Sequence, residues 1–193
     1  TDTGLYTCTA TNAAGNTSLS YSLHVQAPPR LLIGDGESHL MAVTNDSLRI
    51  PCRATGSPTP QIRWLKDGHP LGEQDGVMVS DDGGILLIAR VGLGHEGLYI
   101  CQGSNWAGVA QAEVQVSVQE PPSIEPSAVD LAVLENSTVS LECLASGLPA
   151  PDIAWYKGDE QLLAGPGRTL SRDGKLLEIQ SAQLSDAGSY RCV

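Results

Sequence analysis

The 193-residue sequence predicts an all-β protein built of antiparallel sandwiches repeated in tandem. Three observations carry that expectation. One segment returns at a fixed offset, short apolar runs alternate with polar residues between turn signals, and cysteines stand at regular intervals. Composition agrees: the absence of Phe, with 21 Gly and 12 Pro, favours many short strands and turns over long helices. A hydrophobic content of 41% is enough to build cores.

The elements follow in chain order. Asp2–Cys8 (DTGLYTC) reads as the close of a sandwich, and Leu19, Tyr21, Leu23 and Val25 alternate after Gly15 as its last strand. Gly56–Gly68 (GSPTPQIRWLKDG) then returns 91 positions later as Gly147–Asp159 (GLPAPDIAWYKGD). The same gapless register carries Cys52 onto Cys143, Trp64 onto Trp155, Asp82-Gly83 onto Asp173-Gly174, and Cys101 onto Cys192. A repeat of this kind organises the whole chain. Leu48, Ile50, Cys52 and Ala54 alternate as a half-buried strand does, and so do Val139, Leu141, Cys143 and Ala145. Asp82-Gly83 and Asp173-Gly174 lie between short apolar runs and signal hairpins, because these residues tolerate positive φ. Val114, Val116 and Val118 alternate once more after Gly108. Strands with turns every 8–12 residues point to a sandwich.

Cysteine spacing fits that architecture. Cys52 to Cys101 and Cys143 to Cys192 are each separated by 49 positions, with Trp64 and Trp155 12 residues after the first cysteine. Bridges Cys52–Cys101 and Cys143–Cys192 joining opposite sheets, each with its tryptophan packed against it, would form two cores. They also imply an oxidising compartment. Tyr6, Tyr99 and Tyr190 stand two residues before a cysteine, the spacing of a tyrosine corner, and are expected in the core. Asp2 and Asp186 precede their tyrosines by four residues, whereas His95 holds that place in the middle copy. If the aspartate pairs across the base of the sandwich, the middle copy lacks that contact.

These residues resemble I-set immunoglobulin domains over the whole chain. The resemblance rests on D-x-G-x-Y-x-C, G-x-P-x-P-x-I-x-W, D-G-x-L-x-I, and N-x-x-G after the cysteine (Asn12–Gly15, Asn105–Gly108). The short interval from Trp64 to Asp82 leaves no room for the extra strands of a variable-type domain. The linkers VQAPP (Val25–Pro29) and VQEPP (Val118–Pro122), with the phrase ATNAAG, look most like hemicentins. That resemblance implies an extracellular tandem-immunoglobulin array with roles in matrix, basement-membrane and cell–cell attachment. The expected layout is the last two strands of one domain in 1–27, a complete domain in 28–120, and a domain stopping at its second cysteine in 121–193. Cys8 is then expected to have its partner before Thr1, and the third sandwich to have one incomplete sheet with an exposed edge.

Charge and motifs exclude several functions. The formal net charge is −11, and 28–120 carries 11 acidic and 6 basic residues against 10 and 5 in 121–193. No basic run exists to neutralise a phosphate backbone, so nucleic acid is not an expected partner. The longest apolar stretch, around Ile85–Leu93, is too short and interrupted to span a membrane. His24, His39, His69 and His95 lack metal-ligand spacing, Asp81-Asp82 lacks a calcium loop, and Gly34–His39 lacks the third glycine and the helix of a phosphate site. No catalytic residue, cofactor, metal or small-molecule substrate is expected.

What remains is surface. Asn16, Asn45 and Asn136 open N-x-S/T sequons, readable as glycan acceptors or as ordinary turn asparagines. Trp106 replaces Ala13 at the tip of the last hairpin, where it is either an interface residue or packed against the entering linker, with packing preferred. Pro51 sits inside a strand and implies a local irregularity or an unpaired amide. Pro28-Pro29 and Pro121-Pro122 either stiffen the junctions into a rod or protect an edge strand. The favoured function is a stiff spacer and protein-contact surface in matrix or cell adhesion, with other proteins, a further copy included, as partners. The alternative is the ligand-recognising ectodomain of a cell-surface receptor. A muscle or cytoskeletal array is disfavoured by the paired cysteines.

Overall fold

The computed structural model describes residues 2–72, 75–126 and 129–193. The chain divides into two compact units, one running to Val118 and the other Gln119–Val193.

The first unit begins with a hairpin of β1 (Gly4–Asn12) and β2 (Gly15–Leu23), paired throughout from Gly4↔Leu23 to Asn12↔Gly15. Every residue of both strands is exposed, because no second layer covers either face among the described residues. Tyr6 therefore departs from the core position expected of it and is 51% exposed. Its corner is nonetheless formed, with the phenol donating to the Asp2 carbonyl at 2.8 Å.

A two-layer sandwich follows. Its strands are β3 (Ala27–Ile33), β4 (His39–Val43), β5 (Leu48–Ser57), β6 (Gln61–Lys66), β7 (His69–Pro70), β8 (Val77–Val79), β9 (Ile85–Ile88), β10 (Gly97–Asn105) and β11 (Gly108–Ile124). One sheet has the order β3-β5-β9-β8. The other runs β11-β10-β6-β7, with β4 also on β11. The two-residue β7 adds to the β6 side of its sheet, so the Trp64–Asp82 interval accommodates one short strand beyond those expected there. Period-2 alternation turns Ile50 and Cys52, Tyr99 and Cys101, and Val114, Val116 and Val118 into the space between the sheets. Trp64, Leu86, Ile88 and Val91 fill the rest.

The prolines find places where an N–H is not needed. β5 pairs with β9 up to Pro51↔Ile85 and with β3 from Ile33↔Cys52 onward. Since Cys52 N–H donates to Gly84 on the β9 side, ladder alternation points the Pro51 nitrogen toward Gly34. There β3 has already left the sheet in a 3-10 turn, Gly34–Gly36. Pro28-Pro29 fall in a register shift between Ala27 and Arg30 on the edge strand β3, and Pro121-Pro122 in one between Glu120 and Ser123.

The second unit repeats the plan with β12 (Val139–Glu142), β13 (Ala145–Leu148), β14 (Trp155–Lys157), β15 (Glu160–Leu162), β16 (Arg168–Leu170), β17 (Leu176–Ile179) and β18 (Tyr190–Cys192). Its sheets are β12-β17-β16 and β15-β14-β18, and β13 pairs with Glu120–Ile124 at the end of β11. Cys143, Trp155, Leu162 and Leu177 form the core. Among the described residues β18 pairs only with β14, whereas its counterpart β10 lies between β6 and β11. Tyr190 and Cys192 are consequently half-buried where Tyr99 and Cys101 are fully buried. Leu131 and Val133 are exposed for the same reason, while Leu40 and Ala42, 91 positions earlier, lie on β4 against β11.

Two bridges cross the sandwiches. Cys52–Cys101 has a Cα separation of 6.4 Å and Cys143–Cys192 one of 6.2 Å. Each core tryptophan is then tied to the Asp-Gly turn: Trp64 Nε1 donates to Gly83 O at 2.7 Å and Trp155 Nε1 to Gly174 O at 2.7 Å. The turns are held by Asp82, whose carboxylate accepts from Ser80 Oγ and Gly84 N, and by Asp173 in the same way from Ser171 and Lys175. The hydroxyl first and the amide second hold both carboxyls below the usual range.

Glycine is required at these turns twice over. Gly83 has φ +74 and a Cβ there would stand 2.9 Å from Ile62 Cβ; Gly68 has φ +82 but open space around it. Replacing each with alanine separates conformational strain from collision. Gly68→Ala should lower the unfolding free energy of the first unit by about 1 kcal/mol, and Gly83→Ala by about 3 kcal/mol, in denaturant titrations.

Candidate interaction surface

The repeat that builds the core also places its corners. Tyr99 Oη donates to His95 O at 2.8 Å and Tyr190 Oη to Asp186 O at 2.6 Å, both reaching back four residues. Lys66 Nζ donates to Gly94 O, and Lys157 to Ser185 O at the equivalent place. Burial pushes the Tyr99 phenol up to about 12, with Asp67 and Asp75 nearby adding to the shift. Burial, then Asp186, raises Tyr190 as well, against an opposing effect of Arg168.

The aspartate before the corner does not reach across the sandwich base. Asp186 Oδ2 accepts from the Gln183 N–H at 2.9 Å, capping its own 3-10 turn. His95 does the same in the middle copy, its Nδ1 accepting from the Gly92 N–H at 2.8 Å. The contact across the base, on which the expected difference between the copies rested, is therefore not the one made; both copies cap their own turn, with an imidazole nitrogen in one and a carboxylate oxygen in the other.

At the other end of the first sandwich, Trp106 occupies the β10–β11 turn and is 86% exposed. The preferred expectation, that it packs on the entering linker, fails because the neighbouring Asn105 fills that role. Asn105 Nδ2 donates to Ala27 O at 2.8 Å and to Pro58 O at 2.9 Å, and its Oδ1 accepts from Ala107 N. Gly56 leaves room for it, a Cβ there lying 3.0 Å from Asn105 Nδ2. The indole is therefore held on a stapled turn, with Pro58, Thr59, Gln61 and Ser104 lining an open groove of about 490 Å³ beside it. Asn105 was legible only as part of N-x-x-G; its two carbonyl partners come from segments 78 and 47 residues away.

The three sequon asparagines are all exposed. Asn45 and Asn136 lie in equivalent turns, with φ of 70° and 66° and backbone N–H groups donating to Val91 O and Ala182 O. That left-handed backbone favours asparagine whether or not a glycan is attached. Asn136 Oδ1 also accepts from Ser181 Oγ and Gln183 Nε2. Asn16 stands on β2 opposite Thr11. Cys8 is unpaired and exposed. Among the described residues, no three His, Cys, Asp or Glu side chains converge on a metal-sized site, and no helix is long and apolar enough to cross a membrane.

Known families resolve the architecture. An immunoglobulin I-set domain model matches residues 35–118, and an immunoglobulin domain model matches 121–193. The chain belongs to the immunoglobulin domain family. It is 38% identical to human (Homo sapiens) hemicentin-1 over 194 residues, covering 100% of this chain and 3% of that protein. It is 35% identical to human leucine-rich repeats and immunoglobulin-like domains protein 1 over 193 residues, 98% of this chain and 18% of that one. A solved three-domain immunoglobulin fragment of titin superposes with a TM-score of 0.82 at 29% identity, covering 99% of this chain and 69% of that one. The chain thus spans a small share of the curated relatives it matches.

The raised tyrosine gives a pH test of the corner. The neutral phenol is the form that donates to His95, so its stabilising effect is full below about 10, the ordinary tyrosine value. It should disappear as pH rises toward 12. Ultraviolet titration should show Tyr99 ionising above the ordinary tyrosine range, with the first sandwich losing stability over the same interval.

Proposed function

We propose that the chain is a structural and adhesive segment of an extracellular tandem-immunoglobulin protein, acting as a stiff spacer and a protein-contact surface. The observation that carries this reading is the pair of inter-sheet bridges, each closing 49 residues at the same place in successive sandwiches. Such bridges persist where thiols are oxidised and are rare in reducing compartments. The similarity to hemicentin-1 supports a matrix setting. Exposed asparagines at Asn16, Asn45 and Asn136 suit N-glycans in that setting. On this reading, Cys8 belongs to a sandwich whose partner cysteine precedes Thr1, and the domains are those set out from the sequence.

Contact is assigned to Trp106. A tryptophan on a braced turn offers a large apolar face at little cost in conformational freedom, which is what interface hot spots require. Repetition along an array then multiplies weak contacts. The same exposed indole, with the similarity to the leucine-rich-repeat protein, supports the second reading, a receptor ectodomain with one specific ligand.

Two measurements test the proposal. Thiol titration of natively purified chain in denaturant without reductant should find one reactive thiol, Cys8; five would overturn the extracellular reading. Beads coated with the chain should adhere to cells, matrix or one another, and Trp106→Ala should reduce adhesion at least tenfold with the thermal midpoint unchanged. Equal adhesion by the variant would remove Trp106 from the contact surface.

A further inference from the structure

We infer that His95 makes the turn preceding β10 acid-sensitive, a device present in the first sandwich and absent from the second. The argument begins with the tautomer. Gly92 N–H can only donate, so His95 Nδ1 must be unprotonated to accept from it at 2.8 Å. The Asp75 carbonyl can only accept, so Nε2, 3.2 Å away, must carry the hydrogen. The two contacts together select one neutral form of the ring.

Adding a proton at Nδ1 places two donors face to face and removes the cap. The Nε2 contact survives, so the ring stays anchored at one side while the Gly92 side opens. The turn Leu93–His95 also carries Gly94 O, which accepts from Lys66, and His95 O, which accepts from Tyr99. Loss of the cap therefore loosens the element that joins β6, β10 and the Asp75 segment. In the second sandwich the same position is Asp186, and a carboxylate cap has no proton to gain between pH 7.5 and 5.5.

Groups of both signs belong to the elements packed here. His95, Lys66, Asp75 and Tyr99 line one cavity of about 210 Å³ with apolar Leu71 and Val77. Asp67 is engaged with Leu98 N and Lys66, and the Glu96 carboxylate accepts from Val118 N. These opposing charges make a local readout more discriminating than global stability.

Amide hydrogen exchange in the native chain supplies it, with Gln183 as internal control. Between pH 7.5 and 5.5, the protection factor of Gly92, corrected for intrinsic exchange, should fall about five- to tenfold, the worth of one hydrogen bond. Gln183 should change less than about twofold, well inside that margin. His95→Asp, which installs the residue of the other copies, should abolish the change at Gly92. Nitrogen-15 shifts of the wild-type imidazole should report the Nε2–H tautomer at pH 7.5, a measurement independent of how the variant folds. Unchanged Gly92 protection, an equal fall at Gln183, or an Nδ1–H tautomer would each overturn the inference.

Discussion

Two sheets of a small sandwich need something to fix their separation, and here a cystine does so beside a buried tryptophan. In the first unit the bridge joins the centre of β5 to the centre of β10, and Trp64 lies beside it on β6, paired with Cys101. Closing a loop of about 50 residues removes roughly 4 kcal/mol of denatured-state freedom in the chain-entropy model, a large share of a small domain's stability. The indole then passes the constraint onward. Its one polar atom must be satisfied in the core, and Gly83 O satisfies it, which holds the Asp82 turn against Ile62. Bridge, indole and turn behave as one part, and the second unit reproduces all three with Cys143–Cys192, Trp155 and Gly174.

That unity explains why so much was readable from one chain. Residues that must meet at fixed geometry recur at fixed spacing, so an offset of 91 positions reveals strands, turns and bridges together. The features that escaped depend on contacts no local pattern encodes. Trp106 is exposed because Asn105 reaches Ala27 and Pro58, segments distant in sequence. His95 and Asp186 differ in residue type yet cap the same turn, because a lone pair in the right place suffices. Tyr6 has the spacing and the corner bond of its counterparts, yet burial depends on layers supplied by other strands. The two-residue β7 is too short to leave a periodic signal.

The two sandwiches also show how one plan tolerates different surroundings. Tyr190 keeps its hydrogen bond and Trp155 its turn although β18 pairs along one edge only among the described residues. The core around the bridge is thus local to a few side chains, and the outlying strands chiefly govern how dry it is. Surface identity varies more freely, with Trp106 standing where the first hairpin has Ala13.

The bridge has a mechanical consequence as well. Under tension between Ala27 and Val118, the 49-residue separation of Cys52 and Cys101 is short-circuited by one covalent link. Roughly 170 Å of contour is thereby withheld from extension. Only the segments outside the bridge, from Ala27 to Cys52 on one side and from Cys101 to Val118 on the other, can lengthen, and among them β3 and β4 lie at the edges of their layers. Such a unit yields a little at its margins and then stops, so load passes along the chain through the cystine while Trp64 and its turn stay folded behind it.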